Sequence, residues 1–184
     1  MVQLIKSWPI IVYLYALNSG AVQAATTNFK ANIIESSCEV SVPEVTITFS
    51  SKSVADFPYT TSATELHPLN VELNCQGTTD FSAFVAPYLR VTGETSGLSD
   101  TRLFRSGNSD AAGVGFMLKK GALNDLSTFY SANGTVAPGD AVNFTQTAGV
   151  STQQFTVGLV RGSNEAVLTG GNISAKISFA LAYP

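Results

Sequence analysis

Residues 173–183 alternate side-chain character without a fault, and the sequence stops one residue later at Pro184. Ile173, Ala175, Ile177, Phe179, Leu181 and Tyr183 fall on one face, and Asn172, Ser174, Lys176, Ser178, Ala180 and Ala182 on the other. Successive side chains of a strand point to opposite faces. The segment is therefore expected to be a β-strand with one buried face and a firmly set register. No later segment is available to pair with its free side. An apolar strand at an open edge invites association unless a partner covers it. The fold is expected to leave a strand edge for something else to fill.

The rest of the chain speaks the same dialect. Val45-Thr46-Ile47-Thr48-Phe49 alternates, and residues 69–75 alternate after a break at His67-Pro68. Residues 81–91 form a longer β-like stretch interrupted by Pro87, while Val114-Gly115-Phe116-Met117-Leu118 and residues 155–160 are short apolar runs. Gly, Pro, Asn and Asp punctuate these segments, and no stretch sustains a capped helical period. Lys119-Lys120-Gly121 closes one run, and residues 93–97 and 137–140 read as turns. Strands at this spacing without intervening helices indicate one antiparallel sandwich or barrel within the 184 residues.

The N-terminus reads as an export signal. Lys6 precedes an apolar run from residue 8 to 17, and Val22-Gln23-Ala24 offers short residues for a peptidase, placing cleavage after Ala24. The run is ten residues, short of the roughly 20 needed to span a bilayer. Residues 25–184 then carry nine basic and thirteen acidic side chains, a formal charge of −4. No basic patch suggests nucleic acid as a partner. Cys38 and Cys75 are the only cysteines. In an exported chain an even number is pairable, and a disulfide is expected. They enclose 38 residues counted inclusively, a loop whose closure stabilises by roughly 4 kcal/mol in the chain-entropy model. Two cysteines and one distant histidine do not complete a metal site. The single histidine, His67, reads as a loop residue, and no G-x-S-x-G motif surrounds a nucleophile. Neither catalysis nor a cofactor is expected.

Residues 25–34 have a pattern of their own. Thr27, Phe29, Ala31 and Ile33 alternate with Asn28, Lys30 and Asn32, with no Pro or Gly. An extended segment of this kind suits strand addition, in which backbone bonds give affinity and alternate side chains fill pockets.

Taken in order, several pieces resemble the subunits of chaperone–usher fimbriae of the type 1 and P pilus kind. Phe29-Lys30 lies shortly before Ile33-Ile34-Glu35-Ser36-Ser37-Cys38, as in that family's extension leading to its first cysteine, and Cys75 follows at the family's spacing. Gly113-Val114-Gly115-Phe116-Met117-Leu118 is similar to its central Gly-Val-Gly strand, and Gly170-Gly171 with a penultimate Tyr183 to its C-terminal pattern. The chain departs from the pattern in carrying Ala31 where the family often has Gly, and in ending on Pro184.

The resemblance implies an all-β fold: an incomplete immunoglobulin-like sandwich lacking its last strand, with an N-terminal donor-strand extension. It implies a signal peptide over residues 1–24, the extension over 25–36 and a pilin domain over 37–184. Thr27, Phe29, Ala31 and Ile33 would be the donor side chains. Ile177, Phe179, Leu181, Tyr183 and Pro184 would form the acceptor edge facing a chaperone or a neighbour. The partners implied are a periplasmic immunoglobulin-like chaperone, an outer-membrane usher and neighbouring fimbrial subunits, with export through the periplasm to a cell-surface adhesive fimbrium. The alternatives are a secreted carbohydrate-binding domain, for which Phe57, Tyr59, Phe129 and Tyr130 are candidate aromatics, and a fibre-terminating or anchoring subunit. Only the thirteen residues 25–37 precede Cys38 after the expected cleavage, leaving no room for a separate lectin domain there.

Overall fold

The computed structural model describes residues 37–43, 46–76, 87–144 and 149–183. The expected signal segment, the extension bearing Thr27, Phe29, Ala31 and Ile33, and Pro184 lie outside them. Nine strands are described: β1 Ser37–Ser41, β2 Ala63–Gln76, β3 Tyr88–Gly93, β4 Leu103–Phe104, β5 Val114–Lys120, β6 Thr135–Val136, β7 Ala141–Val142, β8 Gly149–Arg161 and β9 Ile177–Ala182. Among the described residues, helix is confined to a 3-10 turn at Val54–Asp56 and one α turn, α1, at Leu126–Phe129. The strands form two antiparallel sheets. The larger runs β1-β2-β8-β5-β4, with β6 also paired to β5, and the smaller runs β7-β3-β9.

The core sits between the sheets. Leu69, Val71, Leu73 and Cys75 of β2 alternate inward and meet Leu89 and Val91 of β3. The Cys38–Cys75 disulfide joins residues directly opposite one another on β1 and β2, pinning the edge strand to its neighbour. Residues 155–160 of β8 are buried on both faces, which is why they read as an unbroken run. Phe155, Val157 and Leu159 face the main core, whereas Val160 packs with Leu103, Met117 and Phe129 in a second cluster. Gly158 lies where a Cβ would come within 2.3 Å of the Phe129 ring, so only glycine lets that ring close over β8. The Gly-Val-Gly run has a similar basis. Gly113 takes φ 76°, and a Cβ there would stand 2.3 Å from the Val167 carbonyl oxygen.

The structure departs from the sequence expectations at three places in this sandwich. His67-Pro68 is no break: β2 runs through it, with Pro68 opposite Thr156 of β8. β1 pairs only with residues 72–76, so no described strand lies on the other flank of β2 at Pro68, where a missing N–H leaves the ladder intact. His67 is accordingly a strand residue and not a loop residue. Lys119 and Lys120 continue β5 instead of ending it. Lys119 is fully buried, with its ammonium donating to the Tyr130 and Ala132 carbonyls and to Thr135 Oγ1 at 2.6 Å. Burial, helped by the nearby Arg102 charge, lowers its pKa. Finally, residues 46–50 alternate between exposed and half-buried yet belong to no strand.

Candidate functional site

β9 stands at the edge of the smaller sheet. On one flank it pairs with β3, from Tyr88 opposite Ala182 to Gly93 opposite Ile177. Just upstream, the Ser106 amide donates to the Ser174 carbonyl at 2.8 Å, and the Asp110 and Ala111 amides donate to the Asn172 carbonyl. No described strand pairs with the other flank of β9. The strand expected over residues 173–183 is thus shorter. Its ladder begins only at Ile177, because β3 ends at Gly93, while the alternation of burial persists upstream.

The unpaired flank faces residues 46–54 across an open groove of about 910 Å³. Ile47 and Phe49 project in from one wall, and Ile173, Ala175, Ile177 and Phe179 from the other. Its floor is the main core: Leu69, Val114, Phe116, Val157 and Leu159, all buried. Phe179 reaches Phe155 with ring centroids 5.3 Å apart. The groove is therefore a gap in the sandwich and not a pocket added to its surface. Two edges without described strand partners flank an apolar floor, and that arrangement can hold an extended segment by its backbone and by alternate apolar side chains.

One acidic cluster braces a wall. Glu65 accepts from the Ser50 amide at 3.1 Å and from the Ser50 hydroxyl, and pairs with Lys52 Nζ at 2.9 Å. His67 Nε2 lies 2.7 Å from its other oxygen. The Ser50 hydroxyl, then His67 and Lys52, hold the Glu65 carboxyl down at about 2. A second cluster lies on the far side of the larger sheet. Asp100 accepts two bonds of 2.9 Å from Arg102 and one from the Tyr130 hydroxyl. Burial raises the Asp100 pKa, but these bonds outweigh it and leave it well below the usual carboxylate range. That network ties loops together beside the Phe129 cluster.

Of the expected acceptor residues, Ile177 and Phe179 line the groove, and Leu181 is half-buried against the core. Tyr183 lies past the end of β9 and is 59% exposed, so the buried face stops at Leu181. Sequence reasoning missed the second wall and the floor. The signal for the wall is present in the alternation of residues 45–49, but alternation by itself predicts only a strand and not a groove wall. The four candidate aromatics do not converge. Phe57 is buried beside the groove, Phe129 belongs to the second cluster, Tyr130 binds Asp100, and Tyr59 is 71% exposed.

Two antiparallel sheets packed face to face define an immunoglobulin-like sandwich of the pilin class, with one edge strand that is open among the described residues. The chain belongs to the fimbrial protein family, which matches residues 27–184, and is a pilus subunit. Its structure is similar to that of PapA, a P pilus rod subunit, with TM-score 0.56 and 23% identity over 80% of this chain and 99% of that one. It is also similar to a chain in a chaperone–usher pilus structure concerned with rod uncoiling, with TM-score 0.53 and 20% identity over 89% and 97%. A third likeness is to the CupB6 tip adhesin of Pseudomonas aeruginosa, with TM-score 0.53 and 17% identity. That match takes in 77% of this chain and 37% of the adhesin. At these identities the likenesses show the fold. A sequence search of curated proteins returned no match.

Proposed function

We propose that the groove accepts a strand from a neighbouring subunit, and that residues 25–34 of this chain fill the corresponding groove of the next one. The observation that carries the reading is the free flank of β9 over a floor made of the subunit's own core. Such an edge is a liability in a solitary chain and an asset in a polymer. Thr27, Phe29, Ala31 and Ile33 are the donor side chains, and the remainder of the 25–36 segment links them to the domain that begins at residue 37. Ile177, Phe179 and Leu181 are the acceptor edge, with Tyr183 and Pro184 at its end. Burial of Phe29 and Ile33 favours the pairing by roughly 1.5–3 kcal/mol each, and each net backbone hydrogen bond adds ~1 kcal/mol. Before assembly, a periplasmic chaperone covers the same edge, and an outer-membrane usher presents the complex to the incoming extension. The finished fibre stands on the cell surface and contributes to adhesion. Its subunits separate slowly, because most strand contacts break together.

An antiparallel donor begins where β9 ends, so joining residues 25–34 behind Pro184 through a flexible linker tests the reading. The fused chain is expected to be a monomer that needs no chaperone and melts at a higher temperature than the natural chain. Phe29→Asp or Ile33→Asp in the natural chain should leave chaperone binding intact and block incorporation into fibres. Normal incorporation of both variants would sink the donor assignment.

A further inference from the structure

The two walls of the groove are held by different means. Residues 172–174 are bonded through their backbone to the loop at 106–111. Residues 46–50 follow β1 in the chain but belong to no strand, and the β1–β2 ladder extends only to Ser41 opposite Glu72. Where the ladder stops, the Glu65 side chain of β2 takes over. Its carboxylate receives the Ser50 amide at 3.1 Å, the Ser50 hydroxyl and the Lys52 ammonium at 2.9 Å. Lys52 also donates to Ser50 Oγ at 2.7 Å, which closes the cluster. His67, two residues along β2 from Glu65, contacts the carboxylate and meets the Phe49 ring edge-on at 4.6 Å. Phe49 in turn lies 5.0 Å from Phe116 on the groove floor.

We infer that Glu65 is a latch that positions the 46–52 wall for the incoming strand. It stands in for the strand ladder that this wall lacks, and it seats Phe49 where a donor side chain must pass. The inference rests on the donor-strand reading above. A wall fixed in advance need not be ordered at the moment of pairing, so the latch favours retention of the donor. Ser50, Lys52 and His67 are the latch's partners. The Lys52 ammonium contributes a charge-assisted bond that a neutral residue cannot replace.

The test uses the full-length chain recovered from the periplasm and a fluorescent synthetic peptide of residues 25–34. Peptide dissociation is followed by anisotropy, and amide hydrogen exchange at residues 46–50 is read on the same samples. Glu65→Ala should release the peptide roughly tenfold faster or more, the scale of losing hydrogen bonds to a charged group. Glu65→Gln, which keeps an acceptor for Ser50 but no charge for Lys52, should fall between. Lys52→Met leaves β2 untouched and serves if the Glu65 variants fold poorly; it should follow Glu65→Gln. Glu39→Gln, on the exposed face of β1, should match the natural chain. Faster exchange at 46–50 together with faster peptide loss supports the latch. Unchanged peptide loss in Glu65→Ala or in Lys52→Met overturns it and leaves the donor reading standing. Failure of the natural chain to bind the peptide overturns the donor reading and the latch with it.

Discussion

The two sheets obey one alternation rule and end in opposite conditions. In the larger sheet, β8 has a partner on each flank, β2 and β5, and its residues 155–160 are buried on both faces. In the smaller sheet, β9 has a described partner on one flank only, and its inward residues stay half-buried. Phe155 and Phe179 touch each other across this divide, yet one is 1% exposed and the other lies along an open groove. The contrast teaches that incompleteness here is local. A strand laddered on both flanks anchors the core, while the edge strand is kept in register by its neighbour β3.

Phe155→Ala should break the contrast from the closed side. Truncating a buried Phe costs about 3–5 kcal/mol, and the loss should be the same whether or not a strand fills the groove. Phe179→Ala should cost more in the strand-filled chain than in the empty one, because its burial is completed by the partner. Denaturant titration of the natural chain and of the fusion with residues 25–34 behind Pro184 gives both differences. Equal costs for Phe179→Ala in the two states would show that the groove does not engage the added strand.

A smaller effect is expected where β8 meets α1. Gly158→Ala places a methyl group against Phe129 and Leu66, and overpacking of this kind costs about 1–3 kcal/mol. The groove is lined from the opposite face of β8, by Val157 and Leu159. Binding of the 25–34 peptide should therefore persist while the melting temperature falls.

The smallest effect concerns pH and sharpens the comparison of the two groove walls. Glu65 is held at about 2, below the 4.5 of a free carboxyl. A depressed carboxyl contributes stability that is fully present above the unfolded value and is lost as pH falls through the folded one. Amide exchange at residues 46–50 should thus rise between about pH 4.5 and pH 2, after correction for intrinsic rates. The wall at 172–174, held by backbone bonds, should not follow the same titration. Identical profiles for both walls would remove the distinction between them.

Alternation is a property of neighbouring residues, so the inward faces of residues 69–75 and 173–181 were legible in the chain itself. So were the pairable cysteines and the β class, and the ordered motifs were enough to suggest the fimbrial family. The Gly-Val-Gly run was recognisable as a pattern, but its cause was not. That cause is the Val167 carbonyl over Gly113, supplied by a segment more than fifty residues away. The buried Lys119 could not be read either, since the carbonyls that hold it belong to the turn after α1. Above all, residues 45–49 and 173–183 have equal claims to be paired strands in the sequence. Only the tertiary structure decided that residues 46–49 of the first join no strand and that the second has a described partner on one flank only. Pairing depends on which distant segments arrive beside a strand, and the side chains of the strand do not encode their own neighbours.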